Sequence, residues 1–237
     1  MSGTGFTDSH LHMVEDGYDS DYGDIADCHR MLACTARRDE WAAQAALDDG
    51  RVVRFYGIHP WYADEWSADT RSALLDVLSD GSHIGEIGLD SKRGDLSVQR
   101  PVFENQLDIA SSLGRVVTVH MVGTEAEVLS SLRGHAGGCS GVILHSYGSD
   151  SYVKPFTEIG CHFSVSPRIL SRSDIRVSRL LKAIPGDRLL LETDAPHHGR
   201  GFTGMRAFAE RLAGLMGTDA DTLLGIADDN AGRLLDG

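Results

Sequence analysis

Short apolar or β-branched segments alternate with helix-like segments along almost the whole chain. Strands that alternate with helices run parallel, and eight such units of about thirty residues predict a (β/α)8 TIM barrel. An open, doubly wound sheet is the alternative, but no glycine-rich fingerprint follows the first strand. The strands are predicted at Phe6–His10, His29–Cys34, Arg51–Gly57, His83–Ile87, Val116–His120, Gly141–His145, His162–Ser166 and Arg188–Glu192.

The helices between these strands are regular except in two places. Val14–Asp27 is acidic and has no helical period, which predicts a somewhat distorted barrel with a shortened or missing first helix. The segment after the sixth strand is helical or irregular. No linker or repeat divides the chain, so residues 1–237 are expected to form a single domain. Helices are predicted at Arg37–Asp49, from Ser67 or Asp69 to about Ser79, at Val98–Leu113, Thr124–Leu132 and Ser173–Ile184, with two or three more from Met205 to Leu235.

Polar residues stand at the carboxyl ends of most of the predicted strands. A parallel barrel gathers these ends into one ring, which is where barrels place their active sites. Four histidines and two carboxylates in one pocket match the ligand set of a two-metal site. The strand-end residues are His10 and His12 at the end of the first strand, His59 after the third, Glu86 in the fourth, His120 and His145 at the ends of the fifth and sixth, and Asp194 after the eighth. His59, which is additional to the four histidines of that ligand set, precedes Pro60 and could instead be structural.

The first two histidines form the motif His10-Leu11-His12. Side chains two apart on an extended chain point the same way, so two imidazoles can hold one transition-metal ion. Asp8 shares their parity and is expected to orient an imidazole through its second nitrogen. The alternative is a surface strand with incidental histidines.

Each remaining candidate also has a structural alternative. Glu86 lies among glycines and apolar residues, and an unpaired buried carboxylate is costly, which favours metal ligation. His120 and His145 end two apolar strands at equivalent positions, although a single histidine there is more often a core residue. Asp194 could begin a turn before Pro196. Glu192 shares the parity of Asp194 and is expected to support the ligands or to be paired in the core.

The other histidines provide a contrast. His29, His83 and His162 fall early in their strands and His135 lies in a helix-to-strand loop, so all four are expected at the opposite end with no metal role. His197 and His198 follow Asp194 and lie near the predicted pocket, with or without a substrate contact.

The charge balance limits the choice of partner. The chain has 22 Lys and Arg against 35 Asp and Glu, a net charge of −13. This argues against broad electrostatic binding to nucleic acid or to an anionic membrane. A polyanionic substrate would depend on bound metal and a few local basic groups.

No apolar run reaches the ~18 residues of a membrane span. Four scattered cysteines, with no apparent leader, indicate a cytoplasmic protein.

The motifs taken together resemble the TatD-type metal-dependent deoxyribonucleases, which are amidohydrolase-like (β/α)8 proteins. The resemblance covers nearly the whole chain, and the order and spacing of the motifs make it specific. It rests on Asp8–His12, Gly57–Pro60, Ile84–Asp90, Gln99–Phe103 with Gln106-Leu107, Val117–His120, Leu144–Ser146, Leu191–Pro196 and Asp229–Ala231.

This resemblance implies two divalent ions at the strand ends. It implies that His10, His12, Glu86 and Asp194 hold one ion and that Glu86, His120 and His145 hold the other, with Glu86 bridging. It further implies hydrolysis of DNA phosphodiester bonds, often from the 3′ end, with His59 contacting the phosphate. Imidazole-rich shells suit zinc, manganese, iron or nickel better than magnesium, whereas nuclease activity in this family is associated with magnesium.

The residues around the metal shell depart from the family pattern. Met121, Val122 and Gly123 follow His120, where the family usually shows a small residue and an arginine. Ser146–Ser149 alters the run after His145, and His197–Gly201 replaces a proline-rich loop. The predicted metal shell is therefore intact while the predicted substrate shell has changed.

Three hypotheses follow from these residues. The first is a two-metal phosphodiesterase acting on DNA, in which Asp194 positions the water and accepts its proton, and Glu86 and His59 complete the catalytic set. Trp61 could stack on a base or pack on the barrel. The second keeps the metals but hydrolyses an ester or amide, such as an aminoacyl-tRNA ester or a small metabolite. The third is a non-catalytic metal-binding protein. Further candidates for phosphate contacts are Lys92, Arg93, Arg168 and Arg172. The sequence does not indicate the oligomeric state.

Overall fold

The computed structural model describes residues 5–18, 25–197 and 203–236. Eight parallel strands follow one another in chain order around one sheet, which confirms the predicted TIM barrel and excludes the doubly wound alternative. The strands are β1 (Phe6–Leu11), β2 (Cys28–Cys34), β3 (Val52–Tyr56), β4 (His83–Asp90), β5 (Val116–Val122), β6 (Gly141–Leu144), β7 (His162–Val165) and β8 (Leu189–Leu191).

Helices lie between most of the strands and after the last one. The α-helices are α1 (Trp41–Ala45), α2 (Ala68–Val77), α3 (Leu96–Leu113), α4 (Glu125–His135), α5 (Val153–Glu158), α6 (Asp174–Ala183), α7 (Met205–Met216) and α8 (Ala220–Asp236). Short 3-10 turns are found at Ile25–Asp27, Arg38–Glu40, Pro60–Glu65, Leu78–Asp80, Asp150–Tyr152, Pro167–Ser171 and Gly186–Arg188. None of the helices in the described ranges combines the length and the apolar character that crossing a membrane requires.

The first and last strands meet at their carboxyl ends. The Asp194 N–H donates to the carbonyl of His10 at 3.0 Å, and the His12 N–H donates to the carbonyl of Ala195 at 2.8 Å. Lower down, the Ser9 hydroxyl donates to the carbonyl of Leu191. These bonds nearly close the barrel, and they place the residues after β8 directly beside those of β1.

The inward-facing side chains of β5, β6 and β8 change along the strands, from apolar residues near the amino ends to the predicted ligands near the carboxyl ends. One buried cluster contains Val116, Ile143 and Leu190, on β5, β6 and β8. Because alternate residues of a strand share a face, His120 and His145 point to the same interior as Val116 and Ile143. Leu190 likewise shares its face with Glu192, and Asp194, whose φ is +55°, joins the ring from the turn after β8. The interior is therefore apolar near the amino ends of the strands and polar near their carboxyl ends.

Helix α8 covers the amino-terminal end of the barrel. Its buried Asn230 donates from Nδ2 to the carbonyls of Gly186 and Leu189, both at 2.8 Å. Ala231 and Leu234 of the same helix join the interior cluster. The late motif around Asn230 thus has a structural role, because it satisfies backbone carbonyls at the start of β8.

The first two crossovers are less helical than the rest. Between β1 and β2 the described residues contain only the 3-10 turn at Ile25–Asp27, in agreement with a shortened or missing first helix; residues 19–24 of the predicted acidic loop lie outside the described ranges. The helix predicted at Arg37–Asp49 is wrong in extent, since α1 has five residues. Arg54 binds the carbonyls of Gln44 and Leu47, which takes carbonyl groups from a longer helix.

Strand β4 runs three residues beyond its predicted end at Ile87, as far as Asp90. Gly88 pairs with His120 of β5, and Asp90 pairs with Val122. A Cβ on Gly88 would lie 2.0 Å from the carbonyl oxygen of His120, and its φ is +148°. Glycine at this position is what allows β4 and β5 to stay paired beside the predicted metal centre.

Candidate metal centre

The buried carboxylate of Glu86 lies between two pairs of histidines. Its Oε2 is 3.4 Å from Nε2 of His10 and 3.2 Å from Nε2 of His12. Its Oε1 is 2.7 Å from Nδ1 of His120 and 2.9 Å from Nε2 of His145. One carboxylate oxygen thus faces each pair, which is the arrangement of a bridging ligand.

The distances between donor atoms fit metal coordination. Nε2 of His10 and Nε2 of His12 are 3.1 Å apart, and Nδ1 of His120 and Nε2 of His145 are 3.3 Å apart. Ligand atoms bound to one ion at about 2.0–2.2 Å lie about 3 Å from one another. Each histidine pair, together with its oxygen of Glu86, therefore forms a triangle of the size expected around one cation.

The electrostatics of these groups favour a positive charge at the centre. Burial opposes ionisation of Glu86, but the neighbouring imidazoles of His145 and His59 hold the pKa of its carboxyl well below the ordinary value. Burial also disfavours a charged imidazole at His145, yet the carboxylates of Glu86 and Glu192 raise its pKa well above the ordinary value. The carboxylates therefore attract a cation, whether a proton or a metal ion.

Asp194 completes the ring from the end of β8. Its ligand oxygen lies within 4.8 Å of the ligand atoms of His10 and His145. Burial raises the pKa of the Asp194 carboxyl to about 6, and the carboxylate of Glu192 adds to this effect. A carboxyl with such a pKa can exchange a proton near neutral pH, as a general base requires.

Two further carboxylates orient ligand histidines through the ring nitrogen that faces away from the centre. Nδ1 of His145 is 3.3 Å from Oε1 of Glu192, and Nε2 of His120 is 3.3 Å from Oδ2 of Asp90. If each of these nitrogens carries the proton, Nε2 of His145 and Nδ1 of His120 are left free to bind a metal. Glu192 thus has the supporting position expected from its parity with Asp194.

Asp90 was not singled out as a site residue in the sequence. The motif Ile84–Asp90 contains it, and it shares the side-chain parity of Glu86. That parity could have identified it, but the predicted end of β4 at Ile87 placed Asp90 outside the strand. The continuation of β4 through Gly88 brings its carboxylate beside His120.

Asp8 has a different role from the one expected. Its carboxylate accepts hydrogen bonds from the hydroxyl and the N–H of Thr193, at 2.6 Å and 2.9 Å. It also accepts from the peptide N–H of His10 at 3.3 Å. Within the described part of the chain, Nδ1 of neither His10 nor His12 has a hydrogen-bond partner. The Asp8 carboxylate therefore binds Thr193, far away in the sequence, and fixes the turn before Asp194.

His59 differs from His120 and His145 in that it presents a protonated ring nitrogen to Glu86. Its Nδ1 accepts the N–H of Trp61 at 3.2 Å, so the proton of the neutral ring is on Nε2. Nε2 points at Oε1 of Glu86 from 3.3 Å. Burial lowers the pKa of His59 to about 4, which keeps the ring neutral. His59 is thus arranged as a hydrogen-bond donor to the centre.

The centre opens into a cleft of about 870 Å³. Its rim includes the predicted substrate-binding residues Trp61, Lys92, Arg93 and Arg168. The Arg93 guanidinium lies 4.0 Å from the centroid of the Trp61 ring, and Nη1 of Arg168 lies 3.8 Å from Oδ2 of Asp194. Basic groups therefore line the cleft alongside the carboxylates of Glu15 and Glu125, in a chain whose net charge is −13.

The histidines that were expected to lie away from the centre do so where the structure describes them. His83 begins β4, His162 begins β7 and His29 lies near the start of β2, while His135 ends α4. The ring of His197 lies 5.8 Å from that of His12 and lines the cleft. His198 lies outside the described residues.

An eight-stranded parallel barrel with paired histidines around one carboxylate at its carboxyl-terminal face defines a TIM barrel with a candidate metal site. The family described as TatD related DNase matches residues 7–236, and the chain belongs to that family. This confirms the resemblance that the motifs indicated.

Among curated relatives, the 3′-5′ ssDNA/RNA exonuclease TatD of Citrobacter rodentium is 33% identical over 147 residues. That alignment covers 60% of this chain and 56% of the relative, so the match spans little more than half of the relative's length. The metal-dependent hydrolase YabD of Bacillus subtilis is 23% identical over 253 residues, which cover 96% of this chain and 97% of YabD.

Among solved structures, the TatD homologue YjjV of Escherichia coli superposes with a TM-score of 0.85 at 22% identity, covering 100% of both chains. A TatD family hydrolase of Entamoeba histolytica superposes with a TM-score of 0.81 at 16% identity, covering 98% of each chain. At these identities the likeness shows the fold.

Proposed function

We propose that this protein is a phosphodiesterase that hydrolyses DNA with two divalent metal ions, Mg²⁺, Mn²⁺ or Zn²⁺, bound at the carboxyl end of the barrel. The observation that carries the proposal is the position of Glu86, whose two oxygens each face one pair of histidine nitrogens. His10, His12 and Asp194 would hold one ion, and His120 and His145 the other, with Glu86 shared. When bound, the ions supply Lewis-acid polarisation of the phosphate and a water of lowered pKa.

The chain's own residues provide the rest of the reaction. Asp194 lies beside both His10 and His145, and burial raises its pKa to about 6. It therefore positions the attacking water and takes its proton. The Nε2–H of His59, now directed at Glu86, donates instead to a phosphoryl oxygen when substrate is bound. Its neutral state suits this role because a neutral imidazole donates without adding charge beside the ions.

The cleft rim accounts for substrate binding. Lys92 and Arg93 approach from the loop after β4, and Arg168 approaches from the loop after β7. These cations would contact phosphates on either side of the bond that is cleaved, while Trp61 forms a wall of the same cleft. The acidic net charge limits such contacts to the cleft, which favours a single-stranded end over a long duplex. The relative of Citrobacter rodentium is described as an exonuclease on single-stranded DNA and RNA.

A second candidate function is hydrolysis of a carboxyl ester or amide, such as an aminoacyl-tRNA ester or a small metabolite. It is favoured by the net charge of −13 and by Met121-Val122-Gly123, which offers no basic side chain after His120. Lewis-acid chemistry at the same centre would serve a carbonyl group. A non-catalytic metal-binding protein is the third possibility, and it predicts bound metal without turnover of any substrate.

The test measures bound metal and hydrolysis together, on the wild type, Glu86→Ala and the control Glu125→Gln, which changes another carboxylate of the cleft. Each protein is loaded with Mg²⁺, Mn²⁺ or Zn²⁺ and given end-labelled single-stranded DNA, a simple phosphodiester and a carboxyl ester. The proposal predicts shortening of the DNA from one end by the wild type and the control, and loss of both metal and activity in Glu86→Ala. Full metal content and nuclease rate in Glu86→Ala would refute it. Turnover of the carboxyl ester alone would establish the second function.

A further inference from the structure

The carboxylate of Asp90 is shared between a residue of the metal centre and a residue of the cleft rim. Its Oδ2 accepts from the Trp61 indole N–H at 2.8 Å and lies 3.3 Å from Nε2 of His120. Its Oδ1 accepts the backbone N–H of Lys92 at 2.8 Å. Two N–H groups and a ring nitrogen of His120 therefore converge on the carboxylate of Asp90, a residue that is 3% exposed.

The backbone on both sides of this carboxylate is held from α3. The buried side chain of Gln99 accepts the N–H of Asp90 at 2.8 Å and donates to the carbonyl of Arg93 at 2.6 Å. Asp90 is thus fixed by the barrel and by a helix, so its carboxylate is a rigid reference point for the groups that bind it.

The contact with His120 determines which ring nitrogen faces the centre. A proton on Nε2 directed at Asp90 leaves Nδ1 unprotonated beside Glu86 and His145. Without an acceptor at Asp90, the ring loses its preference for this tautomer and this orientation. Outer carboxylates of this kind typically change metal affinity by about 10–100-fold.

The contact with Trp61 determines the position of the rim. The indole ring is 39% exposed and carries the Arg93 guanidinium on its face at 4.0 Å. Its N–H bond to Asp90 ties the ring to the centre, where its edge-to-face partner is the His59 ring at 4.8 Å. Movement of this ring by a bound substrate would therefore act on the same Oδ2 atom that orients His120.

We propose that Asp90 is a positioning residue that couples Trp61 at the cleft rim to the ligand geometry of His120. It holds the imidazole and the indole through one oxygen atom, so that a change at the rim alters ion binding on the His120 side of Glu86. This coupling rests on the proposed two-metal centre.

The experiment is a calorimetric titration of the metal-free, full-length protein with Mn²⁺ alone. Asp90→Asn offers one acceptor oxygen to the three nitrogen atoms, whereas Trp61→Phe keeps an aromatic ring and removes only the donor. His120→Ala identifies the binding step that belongs to the His120 side, and Glu125→Gln is the control for a carboxylate of the cleft without a contact to His120. Thermal melting of each metal-free variant checks the fold.

We expect Asp90→Asn to weaken the His120-side step by about 10–100-fold and to leave the other step within about 2-fold. Trp61→Phe weakens the same step by about 3-fold, and in the Asp90→Asn background it has no further effect, because the shared oxygen is already lost. With labelled single-stranded DNA, Trp61→Phe raises KM by about 5-fold at an unchanged kcat, whereas Asp90→Asn lowers kcat.

Wild-type affinities for both ions in Asp90→Asn would overturn the proposal. If Asp90→Asn does not fold, an unchanged His120-side step in Trp61→Phe overturns it alone. If Trp61→Phe weakens the His120-side step by the same factor in the wild-type and Asp90→Asn backgrounds, the proposal is also overturned. Such independent effects would show that Trp61 does not act on His120 through Asp90. Intact ion binding without DNA hydrolysis would refute only the proposed function, and failure of the wild type to bind Mn²⁺ would refute both.

Discussion

Gln106 binds both backbone polar groups of Ile58, the residue directly before His59. The Ile58 N–H donates to Oε1 of Gln106 at 2.8 Å, and Nε2 of Gln106 donates to the Ile58 carbonyl at 3.1 Å. Gln99, on the same helix α3, binds the backbone of Asp90 in the same way. Helix α3 therefore braces two of the segments that build the metal centre, and these are the glutamines that the family motif contains.

Replacement of Gln106 by alanine should displace His59 and leave metal binding unchanged. It leaves a buried N–H and a buried carbonyl of Ile58 without partners, which should lower the free energy of unfolding by about 1–3 kcal/mol. Displacement of His59 should lower kcat/KM on single-stranded DNA by about 10-fold, with metal content unchanged. Urea unfolding, metal analysis and steady-state kinetics measure the three effects. Asn105→Ala is the matched control, because this neighbouring amide is exposed and donates to the carbonyl of Pro101 within α3. Equal effects of Gln106→Ala and Asn105→Ala would contradict the role of Gln106 in holding Ile58 and His59 in place.

His59 itself should contribute to the chemical step and not to the binding of the ions. Its Nε2–H is directed at the centre while its Nδ1 is occupied by the Trp61 N–H. His59→Ala should therefore keep both ions and lower kcat by about 10²–10³-fold, the usual cost of one preorganised donor, with KM changed little. Metal analysis and single-turnover kinetics on labelled DNA measure these quantities. Loss of one ion in this variant would show instead that His59 is a ligand.

The barrel and the ring of candidate ligands could be predicted from the sequence because both depend on local patterns. Alternation of strands and helices determines the topology, and the residue at the carboxyl end of each strand points into one ring. The structure brings His10, His12, Glu86, His120, His145 and Asp194 together as that pattern indicated. Their distances show what the sequence could not, namely that each oxygen of Glu86 faces its own histidine pair.

The features that could not be predicted from the sequence depend on contacts between residues far apart in the chain. Asp8 shares the parity of His10, but Thr193, 185 residues away, takes its carboxylate. The strand character of Asp90 was hidden by Gly88, which lowers strand propensity yet is required beside His120. Arg54, on the next strand, binds the carbonyl of Gln44 in the short helix α1 and that of Leu47 beyond its end. Local propensity cannot anticipate such bonds.

Gly88 should tolerate no side chain. A Cβ there would lie 2.0 Å from the His120 carbonyl oxygen, and its φ of +148° is strained for any L residue. Gly88→Ala should lower the free energy of unfolding by about 3 kcal/mol or more and should weaken metal binding by moving His120. Gly134→Ala is the matched control, since Gly134 lies in α4 with open space around its Cβ position. That variant should be more stable by about 0.5–1 kcal/mol. Unfolding in urea measures both, and a Gly88→Ala protein of wild-type stability would refute the close approach of β4 and β5.

His83, at the amino end of β4 and away from the metal centre, should make stability depend on pH. Burial lowers its pKa to about 4, and the nearby Arg115 guanidinium adds to this, while Asp80 opposes it. Its Nδ1 accepts the N–H of Val116 at 3.3 Å, and protonation of Nδ1 removes that acceptor. The ordinary pKa of an unfolded histidine is about 6.5.

Between these two pKa values the unfolded chain binds more protons than the folded one, so the free energy of unfolding falls as the pH falls from about 6.5 to about 4. Above about pH 6.5 both states are neutral and the contribution disappears. His83→Asn keeps an acceptor near the Val116 N–H but does not titrate, so the stability of the wild type minus that of the variant should fall by about 1–3 kcal/mol across this window. Urea unfolding of both proteins in chelator, from pH 4 to pH 8, measures this difference, in which the titration of all other groups cancels. A difference independent of pH would show that His83 is protonated in the folded state as readily as in the unfolded one.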